Sequence, residues 1–175
     1  MMSYILAGAC HDVDHPGVNN IFLIESRDKL AIRYNDVSVL ENHHVALSFD
    51  ILQSENGKYN MFENLDEETF KRVRKLMIGA ILATDMSNHF SKLAVFKGKI
   101  LSNDFDAKSS ENKKICAEWM FHLADISNST KPFKICQKWT DLLFVEFFDQ
   151  GDRERSSGVT IQMFMDKYTT NIASS

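Results

Sequence analysis

The chain has 175 residues, of which 44% are hydrophobic and 25% charged, and its formal net charge is −4. This length and composition are typical of one globular domain with a real core, and they exclude an intrinsically disordered chain. Scattered Lys and Arg with a net negative charge argue against nucleic-acid binding, which needs a basic stripe. A small anionic substrate remains compatible, because a bound metal would supply local positive charge.

Helical patterns dominate the sequence, which contains only 2 Pro and 7 Gly to interrupt them. In chain order, apolar spacing predicts helices over Tyr4–Asp12, Val37–Gln53, Asp66 to about Ile81, Asn88–Ile100, Lys114–Ile126, and Pro132 to about Gly151. Loops are predicted over Ser54–Asn64, Ser102–Lys113 and Gln150–Gly158, and Met163–Ser175 shows no clear helical pattern. We therefore expect an all-α protein.

The cysteines and the apolar runs indicate a cytoplasmic protein. Cys10, Cys116 and Cys136 are odd in number and lack a CxxC spacing, which is typical of a reducing compartment. Met1–Cys10 is too short and lacks the basic residues of a signal peptide, and we expect no membrane-spanning segment in this chain. The chain starts inside an apolar helical pattern without a capping residue, so we expect a truncated domain.

The most informative segment is His11-Asp12-Val13-Asp14-His15-Pro16-Gly17, which follows an apolar stretch. Imidazoles and carboxylates together hold divalent metals, and a metal makes water a nucleophile at neutral pH, so we interpret this segment as half of a site for phosphate-ester hydrolysis. Because Pro16 disfavours helical geometry at His15, we expect His11 and Asp12 to be direct ligands, with His15 supporting them from the turn. For the His-Asp dipeptide alone, a helix-terminal His beside a surface Asp is the more common situation.

A carboxylate much later in the chain could complete this site. Asp125 lies at the end of an apolar helix and is followed by Ile126-Ser127-Asn128. By itself Asp125 is better explained as a cap that accepts hydrogen bonds from the next turn. Together with His11 and Asp12 it forms a mixed nitrogen and oxygen ligand set that suits Zn²⁺ or Mg²⁺/Mn²⁺.

Two further polar residues lie on helices where apolar residues are expected. Glu41 lies beside an apolar helix face, so its carboxylate needs either a buried pair with His43 or His44, or a metal-bound water. Thr84, at the end of the third predicted helix, either terminates that helix or contacts a water bound to the metal. The residues alone leave both alternatives open at each position.

Five segments together resemble the class I 3′,5′-cyclic nucleotide phosphodiesterase catalytic domain, and they occur in the family's order. They are HDVDHPGVNN, SVLENHH, ILATDMSNH, HLADISN and KWTDLLFVEFFDQGDRE. The resemblance covers the chain from near its first residue to near its last. It implies that residues 1–175 are part of that domain, a compact all-helical bundle of the HD type. It also implies a cytoplasmic enzyme of signal transduction that hydrolyses cyclic AMP or cyclic GMP to the 5′-monophosphate.

The resemblance also implies residue roles. His11, Asp12 and Asp125 would be ligands of two divalent ions, zinc and magnesium (or manganese), with Asp12 bridging both. His15, Glu41 and Thr84 would surround metal-bound waters. The nucleotide would contact Asp12 and Asp125, and Asn128 would lie near it, with the base against Trp139, Leu143, Phe144, Phe147 and Phe164. The expected partner is the cyclic nucleotide substrate and not a nucleic acid, and the sequence does not indicate an oligomeric state.

Two motifs of that family have no counterpart in this sequence. One is the upstream His-Asn-x-x-His motif, which supplies the general acid and another histidine ligand. The other is the glutamine that clamps the purine, so the preference between cyclic AMP and cyclic GMP is not encoded here. Two alternatives follow: an inactive relative that binds metal or nucleotide without turnover, or another HD-type phosphohydrolase. The extended motif through Pro16-Gly17 and the Glu41 helix argue against the second.

Overall fold

The computed structural model describes residues 1–53, 60–102 and 105–171, and within those ranges every regular element is helical. The α-helices there are α1 (Met2–Cys10), α2 (Asn20–Glu25), α3 (Lys29–Tyr34), α4 (Val39–Leu52), α5 (Glu67–Leu82), α6 (His89–Leu101), α7 (Ser110–Asp125) and α8 (Phe133–Ser157). Two short 3-10 helices, Met86–Asn88 and Ser127–Thr130, precede α6 and α8. The prediction of an all-α chain is confirmed. No helix among the described residues is long and apolar enough to cross a membrane.

The chain divides into two units, and the first comprises Met1–Asp14 and Glu41–Ile126. In this unit α1 and α7 both pack against α5. Helix α5 begins at a cap, where the Asp66 side chain accepts the N–H of Thr69. The buried apolar core consists of Ala7, Val45, Phe49, Leu52, Phe62, Val73, Met77, Ala80 and Ile81. The spacing of Val73, Met77 and Ile81 along α5 is the helical stripe that the sequence predicts.

The second unit comprises His15–Leu40 and the chain from Ser127 onward. Its compact core is formed by Val18, Leu23, Ala31, Val39 and Leu40. Helices α2 and α3 are six residues each and are absent from the sequence predictions, because so short a helix shows no full apolar period. The capping residues could have indicated where these helices begin: the Asn19 side chain accepts the N–H of Phe22, and the Asp28 side chain accepts that of Leu30.

Two predicted loops are wrong where a helix continues through them. Helix α8 does not end near Gly151, and Gln150–Gly158 is not a loop, because Gln150, Gly151 and Glu154 are buried and their packing outweighs the low helix propensity of glycine. The helix ends at Ser157, and Gly158 follows with a φ of 70°. Helix α7 begins at Ser110, inside the predicted loop Ser102–Lys113, where the Ser109 hydroxyl caps the N–H of Asn112.

Other boundaries differ by about one residue or two. Helix α1 ends at Cys10 and not at Asp12, and α4 begins at Val39 because Asp36 and Ser38 adopt positive φ angles of 62° and 42°. Helix α6 agrees with its prediction to within one residue at each end. Residues 54–59 of the predicted loop Ser54–Asn64, and the last four residues of the predicted tail, lie outside the described residues.

Candidate metal centre

The C-terminal ends of α1 and α7 bring three candidate ligands together. His11 follows α1 directly, Asp12 is the next residue, and Asp125 is the last residue of α7. Both helices pack on α5, and the rings of Tyr4 in α1 and Phe121 in α7 lie 6.3 Å apart between centroids. The hydrophobic packing of the first unit therefore aligns two helix ends that are distant in sequence.

The three side chains converge on one point. His11 Nε2 lies 3.1 Å from Asp12 Oδ2 and 3.2 Å from Asp125 Oδ1. One ligand atom from each of the three residues lies within 4.8 Å of the others, and no second group of this kind occurs among the described residues. The side chains of His11, Asp12 and Asp125 are 25%, 63% and 32% exposed, so all three are accessible to solvent.

The tautomer of His11 is set by the helix that precedes it. Its Nδ1 lies 2.9 Å from the Gly8 carbonyl, which only accepts hydrogen bonds, so Nδ1 carries a proton and donates it there. The other nitrogen, Nε2, is left facing the two carboxylates. Hydrogen bonds to Asp12 and then Asp125 raise the pKa of His11 to about 10, against the opposing effect of burial. The two carboxylates thus stabilise positive charge at this point, which the protonated ring carries when no ion is bound.

Two histidines of α4 hold the segment that carries Asp12. His44 is buried, and its Nδ1 donates to the Val13 carbonyl at 2.7 Å, while its Nε2 lies 4.0 Å from Asp12 Oδ1. His43 Nε2 lies 2.8 Å from Asp14 Oδ2. The sequence predicted a role for both histidines only as partners of Glu41. The signal for His44 was its place on the apolar stripe of α4, where a polar ring needs a fixed partner.

The residues predicted around metal-bound water have separate surroundings. Glu41 is half-buried in the first turn of α4. Thr84 is half-buried just after α5, and its hydroxyl donates to the Ile81 carbonyl at 2.7 Å, as expected of a helix terminus. His15 belongs to the second unit, where it is exposed and its Nδ1 accepts the Gly17 N–H at 3.1 Å. Their roles toward a metal stay predictions.

The residues predicted to contact the nucleotide, apart from Asp12 and Asp125, all belong to the second unit. Trp139, Leu143 and Phe147 follow one another at four-residue spacing on one face of α8, and the first two are exposed. Phe144 is buried, with its ring centroid 5.8 Å from that of Phe147. Phe164 lies beyond α8 and is exposed. Their roles toward a base stay predictions.

Asn128 has an unusual carboxamide. Its Nδ2 lies 3.5 Å from the Cys136 carbonyl, whereas its Oδ1 is buried with no hydrogen-bond partner among the described residues. An acceptor in that state is costly, so a donor from a ligand or a water would stabilise it.

The convergent group fits a divalent cation. A neutral imidazole nitrogen with two carboxylates is a ligand set common to Zn²⁺, Mg²⁺ and Mn²⁺ sites, and three protein ligands leave positions open for water or substrate. The Gly8 carbonyl orients His11 in the way that metal-binding histidines require. The C-terminal ends of α1 and α7 carry partial negative charge, which adds to the attraction for a cation.

Comparison with known proteins identifies relatives of this chain. The family described as 3′5′-cyclic nucleotide phosphodiesterase matches residues 1–175. The chain is 42% identical over 181 residues to "3′,5′-cyclic-AMP phosphodiesterase 4C" of Rattus norvegicus, covering all of this chain (100%) and 33% of that protein. It is 42% identical over 161 residues to "High affinity cGMP-specific 3′,5′-cyclic phosphodiesterase 9A" of Homo sapiens, covering 92% of this chain and 26% of that protein.

A solved structure shows the same fold. The crystal structure of the phosphodiesterase domain of Salpingoeca rosetta rhodopsin phosphodiesterase matches 94% of this chain with a TM-score of 0.88 and 37% sequence identity. The match covers 50% of that domain's chain, and the curated relatives above are matched over a third of their length or less. With a family match over every residue, the chain belongs to the 3′,5′-cyclic nucleotide phosphodiesterase family.

Proposed function

We propose that residues 1–175 are part of a metal-dependent catalytic domain that hydrolyses 3′,5′-cyclic nucleotides to 5′-nucleoside monophosphates in signal transduction. The observation that carries the proposal is the convergence of His11, Asp12 and Asp125 at the ends of α1 and α7. In the proposal these residues hold two divalent ions, zinc and magnesium or manganese, with Asp12 between both. A bound ion would supply a nucleophile from water at neutral pH and stabilise negative charge on the phosphate.

The chain's own residues would prepare this chemistry by fixing the ligands. The hydrogen bond from His11 to the Gly8 carbonyl holds the imidazole with Nε2 outward. His44, anchored on the Val13 carbonyl, steadies the turn that presents Asp12. We assign His15, Glu41 and Thr84 to the surroundings of metal-bound water, in line with the family motifs that they match.

The nucleotide would be recognised by residues of the second unit. The proposed role of Asn128 is supported by its unsatisfied carboxamide oxygen, which could accept a hydrogen bond from the nucleotide. For the base we propose Trp139, Leu143, Phe144, Phe147 and Phe164, of which Trp139, Leu143 and Phe164 offer exposed apolar surface. The two relatives, one named for cyclic AMP and one for cyclic GMP, are equally similar at 42% identity, so the proposal covers both nucleotides.

We also propose a cytoplasmic location. All three cysteines, Cys10, Cys116 and Cys136, are free, as expected in a reducing compartment.

The proposal is tested by measuring hydrolysis of cyclic AMP and cyclic GMP with Zn²⁺, Mg²⁺ or Mn²⁺ added. The chain would be assayed beside a form extended at both ends by the adjoining coding sequence. We expect metal-dependent formation of the 5′-monophosphate, and we expect Asp12→Asn to lower kcat by about 100-fold or more because a direct ligand is lost. Asp50→Asn, an exposed aspartate of α4, is the matched control and should change nothing. Metal binding without turnover in both forms would contradict the proposal and favour an inactive relative.

A further inference from the structure

Glu154 is a carboxylate buried inside the second unit, near the end of α8. Its side chain is fully buried, and Gln150, one helical turn earlier, is 2% exposed. A buried carboxylate is costly unless hydrogen bonds satisfy its oxygens. Such a group is retained where it fixes the position of its partners, so the identity of those partners matters.

The hydrogen-bond donors to Glu154 are amide groups of Gln150 and Gln162, which are in turn bonded to Asn19. Gln150 Nε2 donates to Glu154 Oε1 at 2.8 Å, and Gln162 Nε2 donates to the same oxygen at 2.6 Å. The backbone N–H of Gln162 donates to Oε2 at 3.0 Å. Asn19, which caps α2, donates its N–H to Gln150 Oε1 at 2.8 Å and its Nδ2 to Gln162 Oε1 at 3.0 Å. The Glu154 carboxylate therefore ties Gln162 to α8, and Asn19 ties both glutamines to the start of α2.

Gln162 begins a tight turn with a strained residue in it. The Met165 N–H donates to the Gln162 carbonyl at 3.1 Å, which closes the turn. Phe164 is its third residue and has a φ of 69°. In turns that need positive φ at this position, glycine or asparagine is preferred, and a bulky aromatic residue is a clear exception. Such strain persists only where the surroundings hold it, and it is concentrated at functional sites.

The turn is held in place on both sides of Phe164. On one side, Glu154 binds the backbone and the side chain of Gln162. On the other side, Met165 is 5% exposed and packs on Gly151, where an added Cβ would lie 1.9 Å from the Met165 carbonyl oxygen. Asp166 is paired with Arg155 at 3.0 Å. The turn is thus fixed from inside, while the Phe164 ring remains 43% exposed.

We propose that Glu154 is a positioning residue, which acts through Gln162 to hold Phe164 in its left-handed conformation and so sets the affinity for the nucleotide base. The inference rests on the proposed function, because that function places Phe164 against the base. Glu154 touches no substrate in this account. Its effect is on binding and not on the chemical step.

The test compares Glu154→Gln with the double variant Glu154→Gln/Gln162→Glu in the protein extended as above. The single variant turns one acceptor oxygen into a donor where three donors converge, so the turn should be released. In the double variant the carboxylate and an amide exchange places. The amide at position 154 can then accept the backbone N–H of residue 162 and donate to the carboxylate there, so both links between the two positions return and only the Gln150 amide loses its acceptor. Glu146→Gln, the same change at an exposed position of α8, is the control.

Two measurements are made on each protein. Hydrogen exchange of the peptide spanning residues 159–170 reports whether the turn is held, independently of any activity. The dissociation constant for cyclic nucleotide, measured without metal and so without turnover, reports the base affinity, and KM and kcat are added where turnover occurs.

For the single variant we expect faster exchange in that peptide, affinity about tenfold weaker, and an unchanged kcat. The double variant should recover part of both losses, because the links between positions 154 and 162 return, and the control should match the unsubstituted protein. The inference would be overturned by faster exchange in the single variant with unchanged affinity, or by unchanged exchange. It would also be overturned if the unsubstituted protein did not bind the nucleotide. Binding without turnover would instead contradict only the proposed hydrolysis.

Discussion

His11 Nε2 and Asp125 Oδ1 lie 3.2 Å apart, although 114 positions separate the two residues in the chain. The contact is made at the C-terminal ends of α1 and α7, which pack on the same helix, α5. The apolar core of the first unit therefore determines the separation of the ligands before any ion binds. A cation entering this site meets ligands already in place, which lowers the entropic cost of binding.

Replacing His44 should disturb the metal site without removing a ligand. His44→Leu leaves the Val13 carbonyl without its 2.7 Å donor, and we expect the free energy of unfolding to fall by about 1–3 kcal/mol. Because Val13 adjoins Asp12, metal affinity should fall by about 10- to 100-fold. His44→Asn keeps a donor on the same side and should lose less of both. Equal losses in the two variants, by urea unfolding and calorimetric metal titration, would show that the Val13 hydrogen bond is unimportant.

Two glycines inside helices should respond to alanine with opposite signs. Gly98, in α6, has no atom within 4 Å of an added Cβ, so Gly98→Ala should raise the free energy of unfolding by about 0.5–1 kcal/mol through helix propensity. At Gly151 the added Cβ would lie 1.9 Å from a backbone oxygen, so Gly151→Ala should lower it by about 1–3 kcal/mol. Urea unfolding of both variants checks this, and a stabilised Gly151→Ala protein would contradict the packing of Met165 on α8.

Protonation of His122 should destabilise the fold when the pH is lowered through the titration range of histidine. Burial, and then the proximity of His89 and Lys92, hold the pKa of His122 below its usual 6.5. His122 Nε2 and His89 Nδ1 share a hydrogen bond of 2.8 Å, which two protonated rings cannot form. The unfolded chain therefore binds more protons than the folded one between the folded pKa and about 6.5. The contribution of His122 to the free energy of unfolding should decrease by up to about 1.4 kcal/mol per pH unit in that window.

The variant His122→Gln isolates this contribution, because its amide does not titrate. Urea unfolding between pH 7.5 and 5.5 should give a smaller loss of stability for the variant than for the unsubstituted protein. Identical slopes for the two proteins would show that His122 is not the responsible group.

The long helices could be predicted from the sequence because their apolar stripes extend over several turns, as Val73, Met77 and Ile81 do in α5. The continuation of α8 past Gly151 could not be predicted, since it depends on hydrogen bonds from residues outside the helix, from Gln162 to Glu154 and from Asn19 to Gln150. Local propensity favours a break there, and tertiary packing overrides it.

For the site, the residue types at positions 11, 12 and 125 were sufficient to select the candidate ligands. The distances between these ligands depend on how α1 and α7 pack on α5, which cannot be predicted from local sequence patterns. The hydrogen bond from His44 to the Val13 carbonyl could not be predicted either, because every residue has a backbone carbonyl that can accept one. Phe164 is a similar case, since its positive φ contradicts what the residue type favours.

The central claim is that His11, Asp12 and Asp125 together hold a divalent ion, and Mn²⁺ binding followed by electron paramagnetic resonance tests it most directly. The signal of free hydrated Mn²⁺ should decrease on titration with the protein and saturate at a fixed stoichiometry. Asp125→Asn should weaken the binding by about 10-fold or more, whereas Asp106→Asn, at an exposed aspartate, should leave it unchanged. Equal Mn²⁺ binding by the Asp125→Asn variant and the unsubstituted protein would contradict the account.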